Sequence, residues 1–450
     1  MLLSSPVFPP TPGTTSSIGL NLLGILFNIK TNMGIKDLNP FLRTRAPKAF
    51  RLVKISDFRR KRIAIDATLI IYQSFAAAFT GIVKTDIRDA DLMNDNLFSR
   101  ERDPATGEYL CPNYRKAIFY VFNRVNGLVW EMYYNGITPI FVHDGEAIHE
   151  KNSYARERRK QVRDSTAARV SALKQQILDT PILERAGNSD FASLRKLLAQ
   201  VQFVKPYEDF DQIFKHVQEG LGAPVIKAPN EAEKFCAFLA GKGVAAASFS
   251  TDTDSYVFGA PIVISDIDQE TKNANYAKMV AAAGEENERT GDSIYVSRKQ
   301  SATHFTAVIT PVIMRELGLT QRQFVDFCIM LGCDFNSRVP GVGPARSWKM
   351  VSDAIDGRPG SERIIEKIAE TNPKFDWSTL CQERCREIFT QMTDCEVALE
   401  SMIAKSPNRA IFNVSGNTIK NTDVKNCYIR YFLPKLDPLT QSPEEVEYHN

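Results

Sequence analysis

The sequence predicts an α/β fold built on a central, mostly parallel sheet flanked by helices. Two observations carry that expectation. Three segments repeat one pattern, an apolar run rich in branched residues that closes on an aspartate and continues into a helix or turn: "RIAIDATLIIYQSF" at Asp66, "ITPIFVHDGEA" at Asp144 and "VAAASFSTDTD" at Asp252. Short continuous apolar runs separated by helical stretches mark strands buried on both faces, as parallel strands are. In such a sheet the carboxyl ends of the strands form the ligand crevice, so three aspartates far apart in sequence are expected to converge.

The composition is that of a soluble globular protein: 43% of the 450 residues are hydrophobic and 24% are charged. That length suits one large domain with appendages, or two. The formal net charge is only +3, so affinity for an acidic polymer has to come from local basic clusters. Eight cysteines without a CxxC pair and five histidines without ligand spacing imply a reduced, intracellular chain with no structural zinc. Residues 1–32 are Ser-, Thr- and Pro-rich with a short apolar run, Ile18 to Ile29, and read as a disordered extension or an upstream start before Met33-Gly34-Ile35. No stretch is expected to span a bilayer.

Along the chain, residues 80–112 and 267–303 are polar and aperiodic and read as surface insertions. Beyond about residue 356 helical spacing returns, from Ile364 to Ile368 and from Cys385 to Leu399, and the tail from Pro434 is expected to be disordered.

Acidic residues carry the chemistry. Asp252 and Asp254, two apart behind an apolar run, would repel and be driven toward protonation by burial, so a cation or a basic partner has to offset them. In "KAPNEAEKFCAFLAGKG" Asn230 can cap a helix whose apolar spacing runs from Phe235 to Leu239 and which Gly241 and Gly243 stop. Glu231 and Glu233 then occupy its first turn, where acidic residues also favour the helix dipole without any function. In "FVDFCIMLGCDFNSRVPGVGPARSWKMV" an apolar helix ends at Gly332, Asp334 follows, and a hairpin with Gly341 and Gly343 leads to a helix opened by Pro344. Such glycines let backbone N–H groups approach a phosphate closely. Within "HEKNSYARERRKQVR", Lys151 and Arg158 are seven apart and share a helical face, which is either a solvated charged surface or a phosphate contact.

These blocks, with "MGIKDLNPFLRTRAPKAF" ahead of them, resemble in their order the flap endonuclease branch of the XPG-like structure-specific 5′ nucleases over residues 33–356. The resemblance implies a PIN-like nuclease fold with a helical arch and a helix-hairpin-helix-type (H2TH) DNA-binding element. It divides the chain into a nuclease domain, 33–356, with an N-terminal block 33–145, an arch region 146–205 and an internal block 225–356. A helical region, 357–433, and a tail, 434–450, follow.

The resemblance also implies that Asp66, Asp144, Glu231, Glu233, Asp252, Asp254 and Asp334 hold two Mg2+ ions, replaceable by Mn2+, for a two-metal hydrolysis; all-oxygen ligands suit such hard cations. Lys151 and Arg158 match residues that assist catalysis. Arg156, Arg159 and Lys160 are placed to attract backbone phosphates. Tyr72 matches an aromatic that stacks on a base, a contact worth ~1–3 kcal/mol, or else is a core tyrosine. Gly341 and Gly343 match the hairpin that grips duplex DNA, with K+ at its loop carbonyls.

The implied activity is structure-specific flap cleavage of branched or flapped DNA in replication or repair. A 5′-3′ exonuclease, a junction resolvase and a catalytically silent junction binder are the alternatives. The tail "LDPLTQSPEEVEYHN" lacks a clamp-binding peptide, which puts sliding-clamp binding in doubt. A monomer without membrane contact is expected, in the nucleus of a eukaryote or at the site of viral DNA replication.

Overall fold

The computed structural model describes residues 34–180, 189–199, 207–267, 303–355 and 363–405. In chain order the first elements are α1 (Leu38–Arg45), β1 (Phe50–Lys54), β2 (Arg62–Asp66), α2 (Ala67–Thr85), α3 (Pro112–Tyr134), β3 (Thr138–His143), α4 (His149–Asp179), α5 (Ser189–Leu198) and α6 (Tyr207–Lys215). There follow β4 (Val225–Lys227), α7 (Ala232–Gly241), β5 (Ala247–Phe249), α8 (Asp254–Val257), β6 (Ile262–Ile267), β7 (His304–Ile309), α9 (Thr310–Leu317) and α10 (Gln321–Leu331). The chain continues through α11 (Pro344–Ile355), α12 (Ile364–Thr371), α13 (Gln382–Thr390) and α14 (Thr393–Lys405).

The seven strands form one sheet in the order β1-β7-β6-β5-β2-β3-β4. Its middle, from β6 through β5, β2 and β3 to β4, is parallel. β7 and β1 extend it with antiparallel pairs. The mostly parallel α/β sheet read from the apolar runs is therefore present, with an antiparallel edge.

β2 shows why the runs carry that signal. Every residue of Arg62–Asp66 is buried, yet the two faces differ. Ile63 and Ile65 pack with the apolar side of α2 and α3, whereas Ala64 packs with Phe235 and Leu239 of α7. Alternate side chains thus feed two helical layers, and a strand covered on both sides has no solvent position for a polar residue. Burying each large aliphatic side chain here contributes roughly 1.5–3 kcal/mol. A bulky residue at position 64 would separate β2 from α7.

α2 has the length and hydropathy of a membrane span, but most of it is buried against the sheet and α3, as the core helix of a globular fold is. Asp66 starts it: Oδ1 accepts a hydrogen bond from the Leu69 amide at 3.0 Å. α10 is opened by a capping box in which Thr320 and Gln323 bond reciprocally, and it closes on Gly332, whose φ of 82° suits glycine.

Three local expectations change. Residues 80–112 are only in part a surface segment: α2 runs on to Thr85, and although most of 86–112 is exposed, Leu92, Leu97, Phe98 and Tyr109 anchor it in the core. The reason is polar rather than apolar patterning. The hydroxyls of Tyr109 and Tyr114 donate to Asp209 of α6, and Arg100 and Arg102 approach the same carboxylate at 3.5 Å, so this stretch is stapled down by a buried acid 95 or more residues away.

Asn230 does not cap α7. Glu231 is the N-cap residue, and its side chain makes no capping bond. The stretch from Cys385 to Leu399 breaks between α13 and α14. Residues 1–32, 434–450 and, apart from its first and last residues, the 267–303 segment lie outside the described residues.

Candidate metal centre

The carboxyl ends of β2, β3 and β5 meet, and each supplies an acid. Asp66 closes β2, Asp144 follows β3, and Asp252 lies three residues beyond β5. Asp144 is held from two sides: its amide donates to Thr68 Oγ1 at 3.0 Å, and its Oδ1 accepts from the Ala232 amide at 2.8 Å. The carboxylate of one strand end therefore caps α7, whose first turn carries Glu233. Asp144, Glu231 and Glu233 each place a carboxylate oxygen within 4.8 Å of the others.

Asp66 Oδ2 accepts from Ser250 Oγ at 3.2 Å, which ties β2 to the turn after β5. In that turn Ser250 Oγ also accepts from the Asp252 amide at 3.1 Å, and Asp252 Oδ1 accepts from the Asp254 amide at 3.0 Å. The run "STDTD" is thus a wound turn that presents both aspartates to one side.

Electrostatically the group is crowded. Asp66, Glu231, Glu233, Asp252, Asp254 and Asp334 are buried, while Asp144 is exposed at the mouth. Burial, then repulsion from Glu233, Asp144 and Asp252, holds the Asp66 carboxyl well above the usual range. Burial, then Asp252 and Asp334, does the same to Asp254. These mutual repulsions link the acids into one field. Asp254 Oδ1 is buried and accepts no hydrogen bond. A buried acceptor without a donor, among repelling carboxylates, is what a bound cation would satisfy. An all-oxygen donor set fits a hard divalent ion.

Residues 33–88 match the XPG N-terminal domain and residues 222–334 match the XPG I-region. Two separate regions of the chain thus match XPG models, in chain order. Among its relatives, Flap endonuclease 1 of Trypanosoma cruzi (strain CL Brener) is 29% identical over 320 residues, 70% of this chain and 64% of that protein. Flap endonuclease 1 of Brugia malayi is 25% identical over 370 residues, 81% of this chain and 77% of that protein. The chain also resembles the solved flap endonuclease-1 of Methanococcus jannaschii, at 17% identity and a TM-score of 0.41, over 84% of this chain and 97% of that one.

Of the sequence candidates, the seven acids are brought together, Asp334 from the turn after α10 joining the strand-end group. Lys151, Arg156 and Arg158 lie on α4, but their side chains lie outside the described set. Lys160 is exposed on the same helix. Tyr72 is partly buried on α2 and packs edge-on against Phe210 of α6, with ring centroids 5.2 Å apart. Gly341 and Gly343 sit in the turn between α10 and α11, Gly341 with φ 75° and its carbonyl accepting from Arg346 Nη1.

Sequence reasoning missed two participants, Gly34 and Arg338, and read a third, Arg159, only as a phosphate contact. Gly34, with φ 77°, leaves no room for a Cβ beside Asp252, Thr253 and Asp254, and the next amide, that of Ile35, donates to Thr253 Oγ1 at 2.8 Å. Arg338 clamps the same start, donating to Leu331 O at 2.7 Å and to Asp37 Oδ2 at 3.1 Å. Arg159 donates from Nη2 to Asp334 Oδ2 at 2.6 Å. Only Gly34 offered a sequence signal, since a residue without a side chain suits close approach. The arginine contacts join residues 175 and 301 positions apart, which no local pattern encodes.

Proposed function

We propose that this chain is a structure-specific 5′ flap endonuclease, hydrolysing DNA phosphodiester bonds near single-strand to double-strand junctions in replication or repair. The observation that supports it best is the convergence of seven carboxylates from separate segments on one crevice, with a buried Asp254 oxygen lacking a donor. A protein that merely binds DNA gains nothing from concentrating negative charge where phosphates must approach.

In this reading the seven acids hold two Mg2+ ions, replaceable by Mn2+, which when bound supply charge neutralisation at the scissile phosphate and activation of the attacking water. The chain's own contribution is positional. Asp66 and Asp144, each fixed by hydrogen bonds that also start a helix, set the floor of the site. Glu231 and Glu233 enter from the start of α7, and Asp252, Asp254 and Asp334 join them from the turns after β5 and α10. Lys151 and Arg158 of α4 stabilise the charge that develops on the phosphate. Arg156, Arg159 and Lys160 attract the backbone nearby, and Tyr72 stacks on a base beside the cut. The Gly341 and Gly343 hairpin grips the duplex through backbone N–H groups, with K+ at its carbonyls. The working form is a monomer acting on flapped DNA in the nucleus.

The test is cleavage of an end-labelled double-flap DNA by the full chain with Mg2+ and with EDTA, beside Asp252→Ala. A single Mg2+-dependent cut near the junction, lost in the variant, is expected. Processive release of mononucleotides would move the reading to an exonuclease, and tight junction binding without any cut would overturn the enzyme.

A further inference from the structure

The contact between Arg159 and Asp334 does more than place a cation near DNA. Its Nη2 to Oδ2 distance is 2.6 Å, and it joins a half-exposed arginine to a side chain only 6% exposed. Asp334 belongs to the carboxylate group, whereas Arg159 belongs to α4, a 31-residue helix. Glu157 and residues 159–169 of that helix are exposed, apart from the half-buried Arg163 and Thr166. Its far end is moored elsewhere: Lys174 Nζ donates to Asp95 Oδ1 at 2.6 Å and to Met93 O at 3.1 Å, and Ile177 is buried in the core. About 22 Å of helix lies between the two moorings. Behind the buried Ile148, and among the described side chains from 157 to 169, Arg159 ties this solvated stretch to the acids.

We propose that Arg159 is a latch that competes with a divalent cation for Asp334. Without metal, its guanidinium offsets part of the repulsion among the acids and pins α4 to the site. A cation that takes Asp334 Oδ2 weakens and displaces it, because the cation draws on the same oxygen's negative charge and repels the guanidinium across it. The released arginine then faces the space where a phosphate backbone would enter, so metal loading and freedom of the helix are coupled. Coupling of this kind is reciprocal: whatever holds Arg159 on Asp334 weakens cation binding by the same factor. Arg159 is a positioning residue in this scheme, which rests on reading the acids as a metal site.

The experiment titrates Mn2+ into the full chain without DNA, following free Mn2+ by electron paramagnetic resonance. Arg159→Gln is expected to lower the half-saturating Mn2+ concentration by about twofold to fivefold, the range a partly exposed ion pair supplies. Arg159→Lys, which keeps the charge, is expected to stay near the parent. Amide hydrogen exchange over residues 157–169 gives a second readout: Mn2+ should accelerate it in the parent, while Arg159→Gln should be fast with and without the ion. Equal Mn2+ affinity and equal exchange in parent and variant would overturn the latch while leaving the metal site intact. Failure of both proteins to bind Mn2+ would overturn the metal site and the latch together.

Discussion

Gly34 and Asp252 are in direct contact across 218 residues of chain: a Cβ on Gly34 would lie 2.1 Å from Asp252 Oδ1. It would also lie 2.4 Å from Thr253 Oγ1 and 2.9 Å from Asp254 Oδ1, and the glycine has φ 77°. Gly34→Ala therefore has to push the acidic turn aside as well as bear the left-handed backbone, which alone costs about 1–2 kcal/mol. Flap cleavage is expected to fall by roughly 100-fold, since misplacing a reacting group by about 1 Å costs that much. Gly107→Ala is the control: its φ is 73° but nothing lies within 4 Å of the new methyl, so a fall in melting temperature with unchanged cleavage is expected.

Asp254 illustrates a stability cost at the centre. Its carboxyl is held well above the ordinary range by burial first and by Asp252 next, and its Oδ1 has no donor. Asp254→Asn removes a buried charge at similar shape. The cation-free chain is expected to gain about 1–3 kcal/mol in a urea titration and to lose most of the stabilisation that added Mg2+ gives the parent. A variant that is less stable than the parent without cation would contradict this account.

The pH dependence follows from the same two acids. Asp66 and Asp254 have folded-state pKa values raised above the unfolded ones, so between the two values the folded chain binds more protons. Their contribution is fully favourable below the unfolded range and is lost as pH rises through the folded values. Cation-free stability, followed by denaturant midpoint, should decline from the ordinary aspartate range upward, and saturating Mg2+ should flatten that decline. A decline unaffected by Mg2+ would place its origin outside this site.

Arg386 joins the C-terminal helices to the core. It donates to Asp326 from Nε at 2.6 Å and from Nη2 at 2.8 Å, and to both oxygens of Glu366, while Asp326 is only 1% exposed. Arg386→Ala leaves a buried carboxylate without its counter-charge and is expected to cost about 3–5 kcal/mol by thermal or chemical unfolding. The double replacement Asp326→Leu with Arg386→Met should recover most of that loss, because it removes both charges from the buried position.

By itself the sequence determined the strands and the acids that end them. β2 reads as a buried strand because all five of its residues are covered, and Asp66 reads as a strand end because it begins a helix. Asp66, Asp144 and Asp252 were legible because each follows an apolar run that ends a parallel strand, and parallel strands emerge on one side, whereas Glu231, Glu233 and Asp334 entered through the resemblance of their blocks. What only the tertiary structure decided are contacts between segments whose patterns are independent. Asp144, rather than Asn230, caps α7; Asp209 draws residues 86–111 onto the core; and Arg159 rests on Asp334. Local periodicity reports how a segment meets solvent and sheet, but it says nothing about which distant charge lies opposite. That pairing is set when the helices pack, by the cost of leaving a buried carboxylate alone.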